Sequence, residues 1–105
     1  MKMEKKRHLL FKLHRLGPPV IERHLVSAIR SSLHTLYGEV CVATSKLYLD
    51  EYDSTNGEGI LQCNLENLNE VVAAACMLSR IEETEVSFQP LKLSGSLRSL
   101  KQTSH

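Results

Sequence analysis

Thiols, imidazoles and carboxylates carry most protein chemistry, and this chain offers three cysteines, five histidines and twelve acids. Cys41, Cys63 and Cys76 are spaced by 22 and 13 positions, which matches no zinc pattern. Their odd number argues against a disulfide framework and for a reducing compartment. Cys63 and Cys76 stand among apolar residues, so they read as small buried hydrophobes. A reactive thiol would want a basic neighbour, and none is near. His8 and His14 fall six residues apart on one strand face, His24 and His34 ten apart on one helix. There is no His-x-x-x-His or Cys-x-x-Cys pair to hold a metal. Asp50, Glu51 and Asp53 lack the regular ligand ladder of a calcium loop and read as solvated acids. Asn56-Gly57-Glu58-Gly59 is a hairpin turn rather than a phosphate loop. Covalent and metal chemistry are therefore not what the spacing offers.

Charge is the remaining chemistry. The 105 residues carry a net charge of only +1, which taken whole argues against a nucleic-acid partner. The distribution says otherwise. Residues 1–16 hold six cations against one acid, for +5, and residues 17–46 add +1. Residues 47–85 hold nine acids against Arg80, for −8, and residues 86–105 return to +3. Ser94-Gly95-Ser96 precedes Arg98 and Lys101: the glycine lets backbone approach a phosphate, and the hydroxyls can donate. If the two basic ends meet, they form a polyanion surface.

Whether they meet depends on the fold. From Arg7 to His14 the pattern alternates, with Leu9, Phe11 and Leu13 on one face, and predicts a half-buried strand. Gly17-Pro18-Pro19 ends it. Ile21, Leu25, Ile29, Leu33 and Leu36 recur at helical spacing and predict a helix from about Pro19 to Tyr37, stopped by Gly38. Val40 to Leu49 reads as a second strand and Ile60 to Cys63 as a third, joined in a hairpin by the small polar residues 53–59. Asn64 is a possible N-cap for a second helix running to about Ile81, slim at Ala73-Ala74-Ala75. Glu85 to Leu93 is a fourth strand, which Pro90 confines to an edge or a bulge. The order β-α-β-β-α-β predicts an α+β, ferredoxin-like split βαβ fold. Two helices would cover one face of a four-stranded antiparallel sheet in the order 4-1-3-2. The first and fourth strands are then neighbours, and the +5 and +3 segments come together. The length fits a single domain over residues 1–105, with residues 1–5 and 99–105 as candidates for flexible ends. No apolar run approaches the ~18 residues of a membrane span.

Aromatics bear on the mode of binding. Stacking of single-stranded RNA on such a sheet wants rings on the two central strands. The first strand offers only Phe11, on the core face, and the third offers none. This points to contact with the nucleic-acid backbone instead.

Three blocks carry a resemblance: Arg7-His8-Leu9-Leu10-Phe11; Tyr52 with Ser54-Thr55 and Gly59-Ile60-Leu61-Gln62-Cys63; and Leu91-Lys92-Leu93-Ser94-Gly95-Ser96-Leu97-Arg98. In order and spacing the chain, from about Lys5 to Lys101, resembles the small protein subunit shared by eukaryotic ribonuclease P and ribonuclease MRP. Its archaeal counterpart is ribonuclease P protein component 2. The resemblance implies a non-catalytic, ferredoxin-like subunit supporting a catalytic RNA that removes the 5′ leader of precursor tRNA. It implies no cofactor on the protein, with Mg2+ held by the RNA. The implied partners are ribonuclease P RNA, ribonuclease MRP RNA, a related ferredoxin-like subunit and a TIM-barrel-like subunit, with the nucleus and nucleolus as location. The expected RNA contacts are Lys5, Lys6, Arg7, Lys12, Lys92, Ser94, Gly95, Ser96, Arg98 and Lys101. Gln62 departs from the Arg or Lys that the family commonly has there, and the chain stops soon after Lys101.

Two other readings compete. An acylphosphatase-like enzyme on the same fold needs a phosphate-cradling loop after the first strand, where Pro18 and Pro19 lack N–H donors. A protein-binding or ligand-sensing module that dimerises through its sheet would use the second-strand edge, Val40 to Tyr48, and the open sheet face, and predicts no RNA in the native complex.

Overall fold

The computed structural model describes residues 5–96. The elements are β1 (Lys6–Leu16), α1 (Glu22–Tyr37), α2 (Glu39–Ser45), β2 (Tyr48–Tyr52), β3 (Glu58–Asn64), a 3-10 turn (Leu65–Asn67), α3 (Leu68–Cys76), β4 (Arg80–Ile81) and β5 (Thr84–Ser94). The five strands make one sheet in the order β2-β3-β1-β5-β4, every described pairing antiparallel. The class is α+β. Four strands keep the expected neighbours, and the expected four-strand, two-helix count is corrected to five strands and three helices.

The alternating pattern of β1 places Leu9, Phe11 and Leu13 under the helices, each 5% exposed or less. They meet Leu25, Ile29 and Leu33 of α1 and Val71, Ala74 and Ala75 of α3 in one core. The Phe11 ring stacks on Phe88 of β5 at 4.7 Å and on Tyr52 of β2 at 6.3 Å. Tyr52 Oη donates to the Val20 carbonyl at 2.7 Å, tying β2 to the entry of α1. The small residues of α3 let it lie close to α1, where Ser32 Oγ donates to the Ala74 carbonyl at 2.8 Å.

Four expectations change. The stretch 40–45 is helical, because Gly38 at φ 92° turns the chain and a new helix starts at once. Alternating Val40, Val42 and Thr44 resemble a strand, yet tertiary contacts decide. Cys41 and Val42 pack against the core, and Thr44 carbonyl and hydroxyl groups accept from Asn64 and Asn67. Val40 is left 76% exposed. The second-strand edge is therefore Tyr48–Tyr52 rather than Val40 to Tyr48. Asn64 does not cap a helix; it is buried and its amide donates to Thr44 at 2.5 Å. The helix after it ends at Cys76, not Ile81, because Arg80-Ile81 folds back on Thr84-Glu85 through a turn with Glu82 at φ 55°. Cys63 is buried as expected, but Cys76 stands at an exposed position, with Sγ turned 3.9 Å from the Phe88 carbonyl.

Pro90 meets its constraint in both ways. β4 covers only the first two residues of β5, so Pro90 lies on an open edge. The β1–β5 register also shifts between Leu10 and Phe11, where Lys92 and Pro90 are partners and Leu91 is extra.

Candidate nucleic-acid interface

The even-numbered residues of β1 face away from the helices, onto a sheet surface that no helix covers. The antiparallel pairing of β1 with β5 brings the basic start of one strand to the end of the other: Leu10 pairs with Lys92, Leu9 with Leu93 and His8 with Ser94. Arg7 reaches Gly95. A Cβ on that glycine would lie 3.3 Å from Arg7 Nη1, and the same nitrogen donates to the Lys6 carbonyl at 3.0 Å. The Ser96 N–H donates to Ser94 Oγ at 3.1 Å, which folds the end of β5 into a turn beside the guanidinium. Lys5 and Lys6 are exposed here, and the Lys5 carbonyl accepts from Leu65 at 2.7 Å, fixing the strand's start.

Of the ten residues expected to contact RNA, the pairing brings Lys5, Lys6, Arg7, Lys92, Ser94, Gly95 and Ser96 to one end of the β1–β5 pair, with Lys6, Lys92 and Ser94 on the open face and Arg7 with Gly95 on the other. Lys12 is on the same open face but one pair of residues beyond Leu10, between Glu58 and Gln89 of the flanking strands. Arg98 and Lys101 lie outside the described residues, as do residues 1–4 of the expected flexible end 1–5 and all of 99–105. Arg15, counted in the basic segment, is turned to the opposite end: its guanidinium donates to the carbonyls of Gly17 at 2.6 Å and Thr55 at 3.2 Å. That leaves the loop after β1 with a committed arginine and two prolines, one of which, Pro18, accepts from Thr84 Oγ1 at 2.7 Å. It is not the phosphate cradle that an acylphosphatase needs.

Sequence reasoning missed a second part of this face. His8 Nε2 lies 3.2 Å from Gln62 Oε1 and 3.6 Å from Asp50 Oδ2. Asp50 gets there because it occupies a register shift of β2 between Leu49 and Glu51. A bulge of one residue has no signature in this sequence. Gln62 thus holds His8 in place of presenting a cation. Among the described residues no group of three or more His, Cys, Asp and Glu side chains is placed to hold a metal ion.

Two of the thiols have a raised pKa. Burial, with a smaller contribution from the Glu70 carboxylate, pushes Cys63 up to about 11. Burial also raises Cys76. No helix among the described residues is long and apolar enough to cross a membrane.

The pairing of β1 with β5 thus builds a small α+β domain with a cationic strand end beside a Ser-Gly-Ser turn. The relatives make this specific. A profile of the Rpp14/Pop5 family matches residues 7–104, and the chain belongs to that family. It is similar to ribonuclease P protein component 2 of Pyrococcus furiosus, 28% identical over 101 residues, covering 93% of this chain and 81% of that one. It is 30% identical to the Methanocaldococcus jannaschii component 2 over 98 residues, covering 93% and 71%. For the Archaeoglobus fulgidus protein the figures are 29% over 97 residues, 92% and 85%. The fold is also that of a chain in the cryo-EM structure of yeast ribonuclease MRP, with a TM-score of 0.72 at 10% identity, over 93% of this chain and 79% of that chain.

Proposed function

We propose that this chain is a non-catalytic, RNA-binding subunit of ribonuclease P, with ribonuclease MRP RNA as a second partner. The observation that carries the reading is the placement of Arg7 on Gly95, at the end of the sheet where Lys6 and Lys92 stand on the opposite, open face, in a chain of the Rpp14/Pop5 family. Guanidinium and ammonium groups beside exposed hydroxyls and a glycine suit phosphate oxygens. Arg98 and Lys101 follow directly in the sequence and belong to the same proposal, and Lys12 extends it along the face. Cleavage of the tRNA leader belongs to the RNA and the Mg2+ ions it holds, and the protein supports the fold of that RNA. The strand order without β4 supports reading the core as ferredoxin-like. In a eukaryotic cell the subunit works in the nucleus and nucleolus, beside a related ferredoxin-like subunit and a TIM-barrel-like one.

Reconstitution tests this reading. Added to the cognate ribonuclease P RNA with its other proteins, the chain should raise the rate of 5′ cleavage of precursor tRNA, and alone it should cleave nothing. An RNA whose activity and binding are indifferent to the chain would overturn the proposal.

A further inference from the structure

The open face carries one continuous cross-strand row. Tyr48 of β2 pairs with Gln62 of β3, Gln62 with His8 of β1, and His8 with Ser94 of β5. Cross-strand partners share a face, so these four side chains stand in line over three strand spacings, about 14 Å. The line starts among the cations, at Ser94, with Lys6 one pair to one side and Lys92 one pair to the other. It ends at Tyr48, which is 59% exposed. The middle is held still by the His8–Gln62 contact at 3.2 Å. In the next row Leu10 is half-buried, and Ile60, 3% exposed, is already covered by its neighbours although it takes no part in the core beneath the helices.

The charge along this line is graded. Acid lies at the middle and the Tyr48 end, with Asp50 3.6 Å from His8 and Glu51 paired with Ile60, and Lys6 and Lys92 lie at the other end. Phosphate is repelled from the acidic end, but an aromatic base is not. A flat ring and a fixed amide near the half-buried Leu10 take a base by stacking and by hydrogen bonds to its edge. We infer that an unpaired RNA segment crosses the open face along this row, its backbone on Lys6, Lys92 and Ser94 and a base stacked on Tyr48. The inference rests on the RNA-binding reading above and deepens it. It specifies unpaired RNA, because a duplex keeps its bases stacked inside and gives Tyr48 nothing to hold. Stacking on this sheet thus uses an edge-strand ring, where sequence reasoning looked for rings on the central strands only.

The sequence has no tryptophan, so Tyr48→Trp in the full chain places a single reporter at the end of the row. The probes are a short oligouridylate and an RNA duplex of equal length. The oligouridylate should quench the reporter and the duplex should not. Tyr48→Leu should weaken oligouridylate binding about tenfold, the scale of one base–aromatic stack, and Tyr48→Phe should retain it. The salt dependence should stay as in the native chain, because the ring neutralises no phosphate. Equal quenching by both probes, or native affinity in Tyr48→Leu, would overturn the inference while leaving the cationic end intact as an RNA site. If neither probe binds at low salt, the RNA-binding reading itself fails, and this inference with it.

Discussion

The guanidinium of Arg7 rests on the backbone of Gly95, with 3.3 Å to where a Cβ would stand. The two residues are 88 positions apart in sequence and belong to the two basic ends of the chain. Their contact is the point at which charge segregation becomes a surface. A side chain at 95 would push the guanidinium aside without touching the core. Gly95→Val should therefore leave the melting temperature within a few degrees, as surface changes do, and weaken RNA binding. Native RNA affinity in a folded Gly95→Val chain would show that the contact is incidental.

Removing cations should act through salt. Arg7→Ala combined with Lys92→Ala takes away two candidate phosphate partners. The slope of log affinity against log salt should shallow by about 0.7 to 0.9 for each phosphate that is no longer neutralised. Filter binding over a salt series measures this. A parallel line, displaced but equally steep, would clear both residues of a phosphate role.

The hairpin between β2 and β3 depends on Gly57. It has φ 81°, its carbonyl accepts from Leu13 at 2.7 Å, and a Cβ would collide with the Leu13 carbonyl. Gly57→Ala should destabilise by about 2 kcal/mol or more, since strain and a backbone clash coincide. Urea unfolding of the two chains compares them directly. An effect near zero would mean that the loop moves away freely.

The centre of the core is Phe11, fully buried between Phe88 and Tyr52. Gly59 opposite it is required by the same ring: a Cβ there would stand 2.7 Å from Phe11 Cζ. Phe11→Ala should destabilise by about 3–5 kcal/mol, a large share of the ~5–15 kcal/mol that holds a native domain, and lower the folded fraction at 37 °C. Circular dichroism at that temperature reads the outcome.

Cys63 gives a pH signature. Its thiol is raised from 9.0 to about 11 by burial. A group whose folded pKa is raised supports the fold fully below its unfolded value and loses that support as pH climbs to the folded value. Stability should therefore fall between about pH 9 and pH 11, and the fall should be shallower in Cys63→Ala than in the native chain. Equal slopes in the two would show that other groups, Tyr52 among them, carry the whole effect.

Much of the scaffold was legible because periodicity reports burial. Leu9, Phe11 and Leu13 alternate in β1, and Leu25, Ile29 and Leu33 recur in α1, and all six are core. The basic ends met because the strand order put β1 beside β5. What could not be read was set by register and tertiary override. Val40 to Thr44 has the composition of a strand and the structure of a helix, because Gly38 and the Asn64 and Asn67 amides act from outside the segment. Arg80-Ile81 is too short to announce a strand. The His8–Gln62–Asp50 contact and the row ending at Tyr48 depend on a bulge at Asp50, which only pairing reveals.

The central claim is an RNA partner of one kind, and the RNA that travels with the native protein tests it most directly. The full chain, tagged at its chromosomal locus and purified under mild salt, should bring down ribonuclease P RNA, with ribonuclease MRP RNA beside it, as the most enriched species on sequencing. A preparation that retains its protein partners but is enriched in neither RNA would contradict the account.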